Sequence, residues 1–202
     1  MNQDTMQAIT NDVIMLLPTK NRHIYLNRVN DFYKSTGLKL VTLDSTQNKY
    51  KGCISNEIEY LHLPSYNVVD KLRLAIEKYQ NYPYVVLGAD DDFTFPRAIN
   101  ECVQFLKCNL DYASAQGYFM TYRKKGKFVT RPQYQEINSI NYSQNDTIER
   151  FINYRKIYCV SYYSVHRLDI FKRTINEMKK INIKESGLNI WEAILGHMAI
   201  IS

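Results

Sequence analysis

The stretch Tyr84-Val-Val-Leu-Gly-Ala-Asp-Asp-Asp92 decides the fold, because an apolar run suited to a buried strand leads directly into three carboxylates. Charges beside apolar surface are costly unless something neutralises them. A hard divalent cation takes oxygen ligands and commonly holds a substrate's phosphates as well. The stretch therefore predicts a metal–phosphate site at the carboxyl end of a central strand. The plainer alternative is a surface turn or helix N-cap, since Asp favours both.

Length and composition indicate one ordinary globular domain, with 202 residues, 45% hydrophobic and 23% charged. No apolar stretch approaches the roughly 20 residues that span a bilayer, and the first residues do not resemble a secretory signal. The four cysteines lack the spacing of a zinc site, and no disulfide framework is indicated. The four histidines share no metal-ligand spacing either. We expect a cytoplasmic protein with reduced cysteines.

The net charge of +6 would suit an anionic partner. The basic residues look dispersed, however, with small clusters only at 123–125 and 179–180. A solvated surface is the expected explanation. Nothing in the sequence has the pattern of a nucleic-acid-binding motif, so no nucleic-acid partner is expected.

The first half alternates strand-like and helix-like patterns, which predicts an α/β sheet with parallel strands. Ligands bind such sheets outside the carboxyl ends of the strands. The polar loops at 19–22, 44–45 and 90–92 should therefore meet at one edge. The predicted strands are 12–18, 38–43, 58–63, 84–88 and 112–115, and the predicted helices are 24–35, 68–80 and 97–108.

The second half has a different character. A hairpin over 118–130 turns through the basic segment 123–126. The remaining predictions are helices over 146–155, 167–180 and 188–201 and a strand over 157–165. The last helix has no capping pattern, so we expect a single domain over 1–202 that is truncated at its carboxyl end.

Three elements resemble, in order, the nucleotide-sugar-dependent glycosyltransferases of the GT-A fold, close to family 2. They are Val13-Ile-Met-Leu-Leu-Pro-Thr-Lys-Asn-Arg22, Asp44-Ser45 and Asp90-Asp91-Asp92, within roughly the first 120 residues. The resemblance implies a Rossmann-like three-layer sandwich with a mostly parallel sheet and helices on both faces. It also implies a nucleotide-binding half at about 10–115 and an acceptor-side half at about 116–202.

The resemblance also implies roles for individual residues. Carboxylates two apart can point to one side, so Asp90 and Asp92 are the expected ligands of Mn²⁺ or Mg²⁺. Asp91 would turn away or bind ribose. The residues expected to contact the nucleotide donor are Pro18, Thr19, Arg22, Asp44, Lys71, Arg73, Asp90 and Asp91.

The acceptor side is less defined. Glu192, beside the only tryptophan, is the candidate general base, with Glu185 as the fallback. Glu192 could equally be a first-turn residue stabilised by the helix dipole. The family's common Glu-Asp pair is missing, which leaves both the base and the inverting outcome open. Trp191, Gln116 and Gly117 are expected to border the sugar or the acceptor.

The sequence therefore predicts a metal-dependent glycosyltransferase that moves a sugar from a nucleoside-diphosphate-sugar, a UDP-sugar in particular. The acceptor would be a glycan, a lipid-linked molecule or a protein, and inversion is expected. One alternative is a nucleotidyltransferase that makes nucleotide-sugars, although residues 18–22 replace its glycine-rich first loop. Another is an inactive nucleotide- or sugar-binding relative. Peripheral association with the inner face of a membrane stays open, as does the oligomeric state.

Overall fold

A computed structural model describes residues 11–125, 127–133, 140–181 and 188–202. It contains a six-stranded sheet, a separate two-stranded hairpin and flanking helices. The strands are β1 (Val13–Thr19), β2 (Lys39–Asp44), β3 (Ile58–His62), β4 (Tyr84–Leu87), β5 (Ser114–Ala115), β6 (Phe119–Lys125), β7 (Lys127–Gln133) and β8 (Val165–Arg167). The helices are α1 (His23–Tyr33), α2 (Val68–Lys78), α3 (Pro96–Cys108), α4 (Thr147–Lys156), α5 (Leu168–Ile181) and α6 (Leu188–Ile201).

The strand order of the large sheet is β3-β2-β1-β4-β8-β5. The pairs β1–β2, β1–β4 and β2–β3 are parallel, whereas β8 runs antiparallel to both β4 and β5. The chain is therefore an α/β protein with a mostly parallel sheet, as the sequence predicts. Because β1 is central and covered on both faces, residues 13–17 form a continuous apolar run instead of an alternating one.

Alternate residues of β1 enter two separate hydrophobic cores. Ile14 and Leu16 pack in the core that includes α2, α5 and α6. Val13, Met15 and Leu17 pack in the core that includes α1 and α3. Helices thus cover both faces of the sheet, which gives the three layers expected from the sequence. Within the described ranges, no helix combines the length and apolar character needed to cross a membrane.

The predicted strand over 157–165 is wrong. Only β8 is extended and paired, and the preceding residues form a loop with a turn in which the Ser164 amide donates to the Ser161 carbonyl. The aromatic and β-branched residues here suggested a strand, but Tyr162 is buried by tertiary packing against Trp191, with ring centroids 5.2 Å apart. The other predicted helices and strands are present with small shifts at their ends. Gly126, in the predicted hairpin turn, lies outside the described residues.

Candidate functional site

The three polar loops meet at one edge of the sheet, as the sequence predicts. In the parallel register Thr19 of β1 lies opposite Asp44 of β2. The Ser45 amide donates to the Thr19 carbonyl at 3.0 Å, and the Thr19 hydroxyl donates to Asp90 Oδ2 at 2.6 Å. We call this place the acidic edge, defined by Thr19, Arg22, Asp44 and residues 90–92. Pro18 lies beside it in β1, half-buried and paired with Leu43.

Lys71 of α2 ties the ends of β1 and β2 together. Its side chain is buried, and Nζ donates to the carbonyls of Thr19 and Leu43 at 3.0 and 3.1 Å and to the Ser45 hydroxyl at 3.0 Å. These contacts correct the expectation that Lys71 reaches a diphosphate, because the buried amine is bound to protein oxygens. Its position makes it a support of the acidic edge.

The structure does not bring Arg73 to the acidic edge. A residue two positions along a helix lies about 200° around its axis, so Arg73 is on the opposite side of α2 from Lys71. Arg73 Nη1 instead lies 2.7 Å from Glu77 Oε1, one helical turn away on the exposed surface. This position gives no support to the predicted contact between Arg73 and the diphosphate.

Asp44 is a buried carboxylate with three donor residues. Oδ1 accepts from the Thr46 amide at 2.8 Å, and Oδ2 accepts from the Tyr60 hydroxyl at 2.5 Å and lies 2.7 Å from His23 Nε2. Burial acts to raise the pKa of Asp44, but hydrogen bonds from Thr46, Tyr60 and His23 outweigh it and hold the pKa below its usual range. Asp44 is therefore an ionised acceptor at neutral pH.

Asp90 is also buried, but it has fewer donors. Oδ2 accepts from Thr19, and Oδ1 lies 2.7 Å from Arg22 Nε. Burial raises the pKa of Asp90, and the Thr19 hydrogen bond and the Arg22 charge offset this only in part. Arg22 also forms an ion pair with Asp91, in which Nη2 and Oδ2 are 2.5 Å apart.

Asp92 is exposed and contacts the loop before β8. The Tyr163 hydroxyl donates to Asp92 Oδ2 at 2.6 Å. Burial raises the pKa of Tyr163, and the hydrogen bond to Asp92 raises it further. Tyr163 therefore remains a neutral donor to this carboxylate.

Glu192 of α6 follows Trp191, whose ring packs against Tyr162, and the Tyr162 hydroxyl donates at 3.0 Å to the carbonyl of Gly88, two residues before the acidic loop. Burial raises the pKa of the Tyr162 hydroxyl, and the charges of Glu192 and of residues 90–92 raise it further, so all four carboxylates act on one phenol. Glu192 is half-buried, and burial raises its own pKa. Within the described part of the chain it has no hydrogen bond or ion pair. The fallback base, Glu185, lies outside the described residues.

Trp191, which the sequence predicts to border the sugar or the acceptor, lies in the hydrophobic interior. It is 5% exposed and belongs to the hydrophobic core on the α2, α5 and α6 side of the sheet. Its place beside Glu192 does not give it the same surroundings, because neighbouring helix residues point about 100° apart. Trp191 packs inward while Glu192 stays half-buried.

Gln116 and Gly117 line a cavity of about 760 Å³ on the β5 side of the sheet. Gln116 Oε1 accepts from the Ser164 hydroxyl at 2.7 Å, and Ser164 also lines the cavity. Ser164 follows Tyr163, the donor to Asp92, so the cavity adjoins the acidic edge. The carboxylates of that edge do not line it. Gln116 and Gly117 therefore lie beside the acidic residues in a separate, less charged space.

Few of the described side chains are available to bind a divalent cation. Among the described residues, no three His, Cys, Asp or Glu side chains form a group that could hold an ion. Mg²⁺, however, is commonly bound by one or two carboxylates together with substrate phosphates. Asp92 fits that role best because it is exposed and its Oδ1 has no hydrogen bond to a described residue. Both oxygens of Asp90 already contact Thr19 or Arg22.

Sequence reasoning missed three residues of this region: His23, Tyr60 and Tyr163. The four histidines share no metal-ligand spacing, so the sequence does not single out His23, and the two tyrosines are among 17 in the chain. Their contacts with Asp44 and Asp92 join residues 16 to 71 positions apart. The parallel pairing of β2 with β3 is the one sequence-level feature that could have indicated Tyr60.

The fold and the acidic edge define an α/β protein with a carboxylate-rich site at the carboxyl ends of parallel strands. No protein-family model matches the sequence, and neither does any curated protein.

Proposed function

We propose that the protein is a metal-dependent glycosyltransferase of the GT-A type that uses a nucleoside-diphosphate-sugar donor. The observation that carries the proposal is the meeting of the loop 90–92 with the ends of β1 and β2, where Asp44 is held ionised. In parallel sheets this edge is where nucleotides bind. An ionised acceptor, an exposed guanidinium and exposed carboxylates suit a ribose, a diphosphate and its cation.

The donor-side roles follow from the contacts. Asp44 would accept a hydrogen bond from the ribose or the base, in exchange for one of its present donors. Arg22, 41% exposed, lies over the acidic loop and would contact the diphosphate. Asp92, with Asp90, would hold Mn²⁺ or Mg²⁺, which when bound stabilises the charge that develops on the leaving diphosphate.

Glu192 would act as the general base on the acceptor side. Its raised pKa makes it a stronger proton acceptor than an exposed glutamate, and it has no described ion pair to give up. It would take the proton of an acceptor hydroxyl that attacks the anomeric carbon opposite the diphosphate, which gives inversion. Gln116 and Gly117, in the adjoining cavity, would contact the sugar or the acceptor.

A second candidate is an inactive nucleotide-binding relative. The specific observation in its favour is that all three acids of the loop already have protein partners: Arg22 contacts Asp90 and Asp91, and Tyr163 contacts Asp92. A site closed by its own ion pairs could bind a nucleotide through Asp44 without a cation. The two candidates differ in their dependence on metal and on Glu192.

Calorimetry with UDP, GDP, CDP and dTDP, with and without Mn²⁺, tests the proposal. We expect at least one nucleotide to bind in a metal-dependent way, with affinity reduced about tenfold or more in Asp92→Ala. Asp31→Ala, on the exposed surface of α1, is the matched control and should bind like the wild type. Absence of binding, or binding that ignores both metal and Asp92, would reject the proposal.

Release of free nucleoside diphosphate from a sugar donor separates the two candidates. Glu192→Gln should keep nucleotide affinity and lower turnover by about 10²–10⁴-fold, the usual contribution of a general base. Metal-independent nucleotide binding with no release in the wild type would favour the inactive relative.

A further inference from the structure

The hairpin β6–β7 concentrates the positive charge of the chain. Residues 119–133 contain five of the 26 basic residues and none of the 20 acidic residues. The hairpin therefore supplies five of the six net positive charges, which corrects the impression that the basic residues are dispersed. They are Arg123, Lys124, Lys125, Lys127 and Arg131.

The hairpin is also rich in exposed apolar and aromatic side chains. Tyr118 is 73% exposed, Met120 57%, Tyr122 55% and Val129 46%. All side chains over 120–123 and 129–133 are exposed. Among the residues that the structure describes, these two strands pair only with each other, and a two-stranded hairpin is marginally stable in water. A partner surface would therefore stabilise it.

The two faces of the hairpin differ in chemistry. Cross-strand partners share a face, so Met120 and Tyr122 lie with Pro132 and Thr130. Arg123 and Arg131 lie on the other face, opposite Val129 and Thr121 respectively. Met120 and Tyr122 thus lie on one face, and the cations Arg123 and Arg131 lie with Val129 on the other.

We propose that the hairpin β6–β7 docks on an anionic lipid surface. Cations near such a surface are attracted by its negative potential. Tyrosine and aliphatic side chains gain free energy at the boundary between headgroups and acyl chains. A soluble polyanion such as RNA would use the cations but would give Met120 and Val129 no apolar environment. The combination therefore favours a membrane over a nucleic acid.

The hairpin begins beside the acidic edge. The rings of Phe119 and Tyr163 have centroids 5.7 Å apart, and Tyr163 donates to Asp92. A membrane bound to the hairpin would lie close to the site, which selects a lipid-linked acceptor. This last step rests on the proposed function; the docking itself does not.

Vesicle flotation tests the docking. The full chain should float with phosphatidylcholine vesicles that contain phosphatidylglycerol and not with pure phosphatidylcholine, and high salt should reduce binding. Because each cation contributes about fivefold to partitioning, Arg123→Gln with Arg131→Gln should lower the partition coefficient by about 25-fold. Met120→Ser with Tyr122→Ser should also lower it, without changing the net charge.

The matched control is Lys179→Gln with Lys180→Gln, which removes the same charge from α5. It should leave binding within about twofold, since these lysines lie outside the hairpin. All substituted positions are exposed, so circular dichroism and thermal melting should change little, and both measurements check that each variant folds.

Three results would overturn the docking proposal: no binding to the anionic vesicles, an equal loss in the Lys179/Lys180 control, or an unchanged partition coefficient in the Met120/Tyr122 variant. In the last case, hairpin-dependent binding of heparin or single-stranded RNA would identify a soluble polyanion as the partner. If vesicles bind but no nucleotide does, the docking stands and only the lipid-linked acceptor is lost.

Discussion

Asp44 and Asp90 sit at the ends of the two strands that flank β1, and they respond to burial in opposite ways. Asp44 is 0% exposed and Asp90 4% exposed, yet the pKa of Asp44 is lowered and that of Asp90 is raised. Asp44 has an amide, a phenol and an imidazole as partners, whereas Asp90 has one hydroxyl and a guanidinium that is 41% exposed. The number and burial of the donors, and not burial of the carboxyl alone, decide the charge.

This difference assigns different tasks to the two acids. Asp44 is a fixed negative charge whose hydrogen bonds help to hold β2, β3 and α1 together. Asp90 is less stable as an anion in the folded chain, so a cation bound at the acidic edge would relieve that cost. Under the proposed function, Asp44 would be the permanent acceptor for the ribose or the base, and the loop after β4 would respond to the bound cation.

The largest expected effect is on stability when Asp44 is replaced by alanine. The substitution leaves the Thr46 amide and the Tyr60 hydroxyl without their acceptor in a buried place, so we expect a loss of about 3 kcal/mol in the free energy of unfolding. Urea denaturation measures it. Asp31→Ala, whose carboxylate is exposed, should change the same quantity by less than about 0.5 kcal/mol. A loss below about 1 kcal/mol for Asp44→Ala would mean that its donors are replaced by water.

Lys71→Met should have the next largest effect. It keeps the aliphatic volume but leaves the Thr19 and Leu43 carbonyls without the amine, so we expect a loss of about 2 kcal/mol in urea denaturation. Any fall in nucleotide affinity should be indirect, because Lys71 supports the acidic edge and does not contact the ligand. The opposite result, unchanged stability with a large loss of affinity, would restore the expectation that Lys71 binds the diphosphate.

The pH dependence of stability should differ in sign between the two acids. The folded-state pKa of Asp44 is lowered, so its contribution is complete above the unfolded value of about 3.9 and is lost as pH falls through the folded pKa. The folded-state pKa of Asp90 is raised, so its contribution is present below about 3.9 and is lost as pH rises through the folded pKa.

The asparagine variants of the two acids should therefore diverge with pH. Relative to the wild type, Asp44→Asn should be least stable near neutral pH and should recover at acidic pH. Asp90→Asn should be relatively most stable near neutral pH. Urea denaturation between about pH 2 and pH 7 covers the pH windows of both acids, and parallel slopes would show that the two acids do not differ in charge.

The sequence predicts this edge well where strands alone define it. The apolar run of β1 and the acids after β4 indicate parallel strands, and parallel strands necessarily bring Thr19, Asp44 and Asp90 to one end. Side chains from other elements that contact this edge cannot be predicted in the same way. Tyr163 reaches Asp92 across 71 positions, and no local pattern encodes such a contact.

The errors have a common physical origin. The segment 157–165 has the composition of a strand, but its large side chains are buried by tertiary packing, with Tyr162 against Trp191. The resemblance and their places in the sequence predict that Trp191 and Lys71 contact a ligand, but both side chains are buried. Local composition predicts that a side chain needs burial or a partner, whereas the topology decides which partner it meets.

The smallest expected effect on stability concerns Tyr163. Its hydroxyl donates to Asp92, which is the exposed acid of the loop 90–92 and the third acid in the comparison. Tyr163→Phe removes one hydrogen bond at the surface and should cost less than about 1 kcal/mol. If Asp92 is a metal ligand, Tyr163 orients it, and losing such a partner should weaken Mn²⁺-dependent nucleotide affinity by about tenfold. Calorimetry beside Tyr66→Phe, an exposed tyrosine outside the acidic edge, separates the two effects. Equal affinities in both variants would show that the Tyr163 hydroxyl only closes the loop. That result would favour the second candidate function, an inactive nucleotide-binding relative.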